Sequence, residues 1–361
     1  MKRGYFIGLD THCQNCEMAV VTSAGNLVAR NRCRTPIDAL REMLEAVPRP
    51  RHLVIEEGPL ADWLYRNLHR QVESMTVSEP RRNRLIAHDG DKDDPLDAAK
   101  LAELFRGGYV KAVHHSGELV RTVFKQLLSL YHWEVKRRVA FGHRVSSLLK
   151  QHGVMARARH FNQAEDRPAL LGQMPPNEML RKMLNQLWSG YDAACEQEDL
   201  FRRQLVSTSQ KDEVLRRLHD LPGIGWIRAA TLYAYLDTPW RFKTRKALWK
   251  YLGIGLERRG SGSGPELLSV PTQMNRLLKS TILGAAKSAI RQGDNPFAEQ
   301  HGRWLAAGLT AKMAQRNVAR SLAATLWGLW KNGTAYEPSW VAMNVTATKR
   351  VQESLSADNA I

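Results

Sequence analysis

Four carboxylates, Asp10, Glu56, Asp94 and Asp97, stand in the first hundred residues where a fold could gather them. Asp10 ends the apolar run Tyr5-Phe6-Ile7-Gly8-Leu9, Glu56 follows Leu53-Val54-Ile55, and Asp94 and Asp97 lie three apart at the start of an expected helix. Strand ends and a helix start can converge, and three or four carboxylates are the hard oxygen ligands that magnesium takes in phosphoryl transfer. Each acid also has a structural explanation. Asp94-Pro95-Leu96-Asp97 has the form of a helix start, with an N-cap acid, Pro at the first helical position and an acid where a capping box places one. Glu56 and Glu57 are adjacent in a strand and face opposite sides, so only one can join Asp10. Caps do not account for acids at the ends of two strands, whereas a metal site accounts for all four.

A second constellation is Gly260-Ser261-Gly262-Ser263-Gly264, preceded by Arg258-Arg259. Such a stretch is ordinarily a flexible linker. Glycines also let a backbone carry a serine close to a phosphodiester, and neighbouring arginines stabilise charge developing on phosphorus. A serine nucleophile then needs its proton removed or metal assistance. Upstream, Leu221-Pro222-Gly223-Ile224-Gly225 opens a helix to about Leu236, and Gly223 and Gly225 fit the turn of a helix-hairpin-helix, whose N–H groups grip a phosphate. The alternative is a tight interhelical turn. Residues 238–250 interleave Trp240, Phe242 and Trp249 with Arg241, Lys243, Arg245, Lys246 and Lys250, which suits base stacking and phosphate contact. At helical spacing Trp240 and Trp249 are equally consistent with core.

Around these residues the pattern predicts strands at 4–10, 17–23 and 27–33, with a tight turn at Gly25-Asn26. A helix at 36–46, a strand at 52–57, a helix near 60–71, a strand at 73–78 and a helix from Asp94 to Arg106 follow. That order, β-β-β-α-β-α-β-α, is the order of a ribonuclease H-like α/β domain. From 118 to 217 the pattern is helical. Leu119, Val123, Leu127, Leu130 and Trp133 recur at helical spacing among basic residues, and prolines break the pattern near 160–177. This predicts a long antiparallel helical hairpin that holds subunits together or forms a solvated basic face. After a Gly-rich loop, helices near 271–292 and 310–331 complete the chain. The expected division is 1–115, a catalytic domain; 116–217, the hairpin; 218–345, a mainly helical domain; and 346–361, a frayed tail.

The 361 residues carry a net charge of +17, unevenly placed. Residues 1–110 hold 16 Lys+Arg and 16 Asp+Glu, so all the excess positive charge lies in 111–361. A neutral carboxylate-bearing module on a strongly basic body suits nucleic acid as partner, with an anionic membrane surface the weaker alternative. No stretch approaches the ~18 apolar residues of a membrane span and no signal-peptide core follows Met1, so a cytoplasmic protein, at the nucleoid when active, is expected. Cys13 and Cys16 form a C-x-x-C with no second pair to complete a zinc set, and the four cysteines make no disulfide framework.

Over nearly its full length the chain resembles the insertion-sequence-110 family of transposases. The resemblance rests on GLDTH near the start, IEEGP at 55–59, KDDPLDAAKLAEL at 92–104, LPGIG at 221–225 and GIGLERRGSGSG at 253–264. It implies that Asp10, Glu56, Asp94 and Asp97 are the acidic tetrad of a RuvC-like domain binding Mg2+, that Ser261 rather than Ser263 is the nucleophile, and that Glu57 is a bystander. It also implies a covalent phosphoserine intermediate, donor and target double-stranded DNA as substrates, a structured bridge RNA as guide, and dimers that assemble into tetramers. The chain departs from the family pattern after the serine. There Pro265-Glu266-Leu267-Leu268 replaces a basic stretch and Met274-Asn275 with Leu278-Lys279 replaces Gly-Asn with Leu-Arg, so the resemblance assigns no nucleic-acid contacts within 265–280. Two other readings are a RuvC-like junction endonuclease that hydrolyses DNA with metal-activated water, and a non-catalytic nucleic-acid-binding scaffold.

Overall fold

The computed structural model describes residues 4–80, 94–259, 267–269, 274–339 and 341. It divides into two compact units, 1–122 and 123–361. The first is built on a mixed sheet in the order β3-β2-β1-β4-β5-β6. Its strands are β1 (Tyr5–Thr11), β2 (Asn15–Thr22), β3 (Leu27–Arg34), β4 (Arg51–Glu56), β5 (Ser74–Ser78) and β6 (Ala112–Val113). β1 runs antiparallel to β2 and parallel to β4, which runs parallel to β5. The central strands are buried on both faces, as parallel strands with helical cover must be, and this explains their near-continuous apolar runs. Edge strand β3 carries Arg30, Arg32 and Arg34, charges that discourage pairing with another chain. The two-residue β6 is too short to leave a sequence pattern.

Helices α1 (Ile37–Glu45) and α2 (Ala61–Leu68) cover one face, where Leu40, Leu44, Leu64 and Leu68 pack with Ile7, Leu9, Leu53 and Ile55. Helix α3 (Asp94–Arg106) covers the other. It lies unusually close to β1, because a Cβ on Gly8 would stand 2.1 Å from the Ala98 carbonyl oxygen and 2.8 Å from the Ala102 nitrogen. Only glycine facing two alanines permits this approach. Further along, Phe105 packs edge-on against Phe6, with centroids 5.9 Å apart. As β1 advances from Phe6 to Gly8, its contacts on α3 retreat from Phe105 to Ala98, so the helix runs antiparallel to the strand. The N-terminal end of α3 therefore lies toward the Asp10 end of β1.

The second unit begins within α4 (Leu119–Gln151), which with α6 (Glu178–Lys211) forms the expected hairpin. Arg138 and Glu198 tie the two helices at 2.6 Å, and short α5 (Arg167–Gly172), with Pro168 in its first turn, lies in the break between them. Phe161, Leu184, Trp188 and Tyr191 fill a core near that break. The rest contains α7 (Glu213–His219), α8 (Trp226–Leu236), α9 (Arg245–Tyr251), α10 (Arg276–Gln292), α11 (Pro296–Ala306) and α12 (Ala311–Asn332). Alanines at 229, 230, 285, 286, 289, 319 and 323 let these helices pack closely. Two findings differ from the sequence pattern. Helix α11, capped by Asn295, lies between the two expected helices, where the sequence pattern predicts no element. An antiparallel pair, β7 (Glu257–Arg259) and β8 (Leu267–Ser269), flanks the Gly/Ser stretch where only a loop was expected, in register Arg258 with Leu268.

Among the described residues no helix is long and apolar enough to cross a membrane. Cys13 is exposed whereas Cys16 is buried beside the Thr35 hydroxyl at 3.7 Å, and burial pushes the Cys33 thiol up to about 11.

Candidate functional site

β1 and β4 pair in parallel with Leu9 opposite Ile55, so Asp10 and Glu56 each stand one residue further along, at the same ends of neighbouring strands. Leu9 and Ile55 point into the core under α1 and α2, and the pleat sends the next residue of each strand to the other side. Asp10 and Glu56 thus share the face that α3 covers. Both are partly exposed, as groups that meet a substrate must be. Glu57 takes the opposite direction, accepting from His115 Nε2 at 2.7 Å.

The N-terminal end of α3 completes the region. Asp94 is the first helical residue, one turn before the Ala98 that packs on Gly8, and the exposed Asp97 follows three residues on. The side chain of Asp94 lies outside the described residues. Among the described residues no group of three His, Cys, Asp or Glu is placed to hold a metal ion. The structure thus brings Asp10 and Glu56 together and α3 toward them, without showing a formed coordination sphere. The donors themselves are carboxylate oxygens, the chemistry magnesium takes.

Sequence reasoning passed over His12. Its Nε2 lies 3.0 Å from Asp10 Oδ2, one side of the ring pinned to the carboxylate and much of the rest exposed. The signal was the spacing Asp10-Thr11-His12, in which the histidine directly follows the end of β1 and stands two positions from the carboxylate.

The basic unit holds the other candidates. Ser261 and Ser263 lie outside the described residues, and Arg258 and Arg259 are placed on β7 by backbone alone. In the Leu221–Gly225 turn, Gly223 has φ 79°, is buried, and its missing Cβ would meet the Ala285 carbonyl oxygen of α10 at 2.2 Å. Gly225 is exposed, with nothing within 4 Å of its missing Cβ. The two glycines therefore differ in role, Gly223 packing against α10 and Gly225 forming the open rim before α8.

In 238–250 the aromatics separate. Phe242 is buried, and Trp249 is half-buried and donates Nε1 to the Arg320 carbonyl at 3.0 Å, whereas Trp240 is 68% exposed beside Lys331. Arg241 is engaged internally, its guanidinium 4.3 Å from the Tyr251 ring centroid and donating to the Tyr235 carbonyl. Lys243, Arg245 and Lys246 are exposed.

A mixed α/β unit with carboxylates at adjacent strand ends, joined in one chain to a basic helical unit, now meets an independent likeness: residues 215–302 match the transposase family described as IS116/IS110/IS902. That segment includes the Leu221–Gly225 turn and the Gly/Ser stretch. The likeness is to a transposase domain. Two curated relatives extend the likeness: the transposase for insertion sequence element IS1111A of Coxiella burnetii, 24% identical over 254 residues, 68% of each chain, and the putative transposase y4pF/y4sB of Sinorhizobium fredii, 24% identical over 259 residues, 68% of this chain and 64% of that one. The domain match and both relatives thus agree that the chain is similar to transposases of the insertion-sequence-110 group.

Proposed function

We propose that the protein cleaves and rejoins DNA strands to move an insertion element, with Asp10, Glu56, Asp94 and Asp97 holding magnesium and Ser261 as the nucleophile. The observation that carries this reading is the placement of Asp10 and Glu56 side by side at the ends of parallel strands, on the face covered by α3. The sheet order, with antiparallel β1–β2–β3 followed by parallel β4 and β5, supports the ribonuclease H-like, RuvC-like description of this unit.

In this mechanism Asp10 and Glu56 fix one edge of the metal site and α3 supplies the other. His12, pinned to Asp10, holds that carboxylate's rotamer, so the ligand is preorganised. Magnesium, when bound, neutralises charge on the scissile phosphate and on the departing oxygen. Ser261 Oγ attacks phosphorus and gives its proton to water, the Oγ–P bond forms as the bond to the deoxyribose oxygen breaks, that oxygen leaves as a hydroxyl protonated from water, and the resulting phosphoserine conserves bond energy for rejoining. Arg258 and Arg259 precede that serine in the chain and are suited to stabilise negative charge in the transition state.

The family resemblance further supports a structured bridge RNA as guide and a dimer-to-tetramer assembly through the hairpin. The test is strand exchange with the element's own ends and RNA. Ser261→Ala is expected to abolish exchange while RNA binding persists; exchange retained in that variant removes the serine assignment. Adduct-free hydrolysed ends from the unmodified protein would instead mark a junction endonuclease.

A further inference from the structure

The Leu221–Gly225 turn, the start of α8 and the last turn of α10 enclose a cavity of ≈ 600 Å3, lined among others by His219, Asp220, Gly225, Arg228, Ser288 and Arg291. Its two arginines come from facing walls. Arg228 is half-buried and held rigidly, its Nη1 donating to the Gly223 carbonyl at 2.7 Å and to Ser288 Oγ at 2.9 Å. Arg291 is exposed, three residues after Ser288 and so on the same face of α10. Neither is ion-paired among the described residues, and the one carboxylate in the lining, Asp220, lies 3.7 Å from His219 Nδ1. His219 is itself stacked on Trp226 at 4.0 Å.

Two guanidiniums that share a cavity without a counter-ion repel each other. Burial, and then Arg291, push the Arg228 pKa down, yet arginine stays charged at any ordinary pH. An anion that enters relieves this repulsion, and the rigid anchoring of Arg228 means little side-chain entropy is lost when it arrives. Gly225 lines the cavity and is exposed, with nothing within 4 Å of its missing Cβ. The first N–H groups of α8, which have no partner within the helix, add donors to the same rim.

We infer that this cavity seats one phosphodiester group of a nucleic-acid backbone, with Arg228 as the fixed contact and Arg291 as the adaptable one. The inference rests on the transposase reading and sharpens it, moving the contact from the glycines of the turn to two arginines 63 positions apart in the sequence. The competing role for Arg291 is purely structural, a cation in the last turn of α10 opposing the helix dipole.

The experiment uses the full chain and measures affinity against KCl concentration for a short duplex DNA and, separately, for an RNA hairpin of similar charge. Arg291→Gln is expected to lower the slope of log K against log salt by about 0.9 on the duplex DNA, or by about 0.7 if the contact is to the single-stranded loop of the RNA hairpin. Between roughly 50 and 200 mM salt a slope change of 0.9 corresponds to a difference of about 3.5-fold in affinity between variant and parent. Whichever arm shows the change names the source of the phosphate. An unchanged slope in both arms, with the thermal midpoint lowered instead, overturns the proposal and leaves the helix-dipole role. Arg228→Lys keeps the charge but loses the two-pronged anchoring, and is expected to weaken binding with little change in slope. If Arg228→Lys does not fold, Ser288→Ala tests the same brace. The transposase reading fails separately: the cavity stands if Arg291→Gln changes the slope in a protein that never exchanges strands, and falls if the slope is unmoved in one that does.

Discussion

Glu56 and Glu57 are adjacent and chemically equivalent, and the pleat alone separates their roles. Glu56 faces the α3 side with Asp10, and Glu57 faces His115. Glu56→Gln is therefore expected to cut strand exchange by at least about 100-fold, on the scale of removing an electrostatic stabiliser of the transition state, while Glu57→Gln stays within a few-fold of the parent. A time course of recombinant product for the two variants decides this, and equal losses would contradict the assignment of faces. The placement of Asp10 and Glu56 at neighbouring strand ends was legible because each closes an apolar run. His12 was harder to see, since its value depends on a 3.0 Å contact that no periodicity announces. Arg241 reads in the sequence as one more cation among exposed ones, but the Tyr251 ring and Tyr235 carbonyl take it inward.

At the scale of elements, the close seat of α3 on β1 is what brings Asp94 and Asp97 toward the strand ends, and Gly8 sets that distance. Gly8→Ala places a methyl against the α3 backbone, so it is expected to cost about 1–3 kcal/mol of stability and to impair exchange by displacing the helix start. Thermal unfolding of the purified variant checks the first effect; an unchanged midpoint would show that α3 can back away freely. The helix itself was plain in the sequence, whereas its closeness was not, because a glycine in a strand signals many things. The β7–β8 pair escaped for a related reason: three-residue strands beside a Gly-rich stretch carry too little pattern to exceed the turn signal.

The hairpin offers a pH test at the same scale. His132 on α4 is half-buried, with Nε2 3.3 Å from the Thr231 hydroxyl of α8, and burial followed by Lys136 pushes its pKa below the ordinary 6.5. A histidine held neutral in the fold contributes stability that is present above the unfolded value and lost as pH falls through the lower folded one. Lowering pH from about 7.5 to about 5.5 is therefore expected to destabilise the parent more than His132→Asn, read as the difference in their thermal midpoints. Equal shifts would mean that His132 protonates freely in the folded state.

For the whole molecule, the separation of charge was readable from counting alone. The acids belong to a neutral segment and the proposed nucleophile to the segment that holds all of the excess positive charge. What counting could not supply was which cations are used internally, and the two-arginine cavity joins residues that only folding brings near. The proposed metal-binding carboxylates and the proposed nucleophile belong to different units of the chain. Either half alone is expected to be inactive. Asp10→Asn should block formation of the serine–DNA bond even though Ser261 is intact.

The most direct measurement is to trap the cleaved DNA with the full chain, digest the complex and locate the modified peptide by mass spectrometry. The account predicts a nucleotide adduct on Ser261 in the parent protein, absent from both Ser261→Ala and Asp10→Asn. Cleaved DNA with free ends and no adduct, or an adduct on another residue, would contradict it.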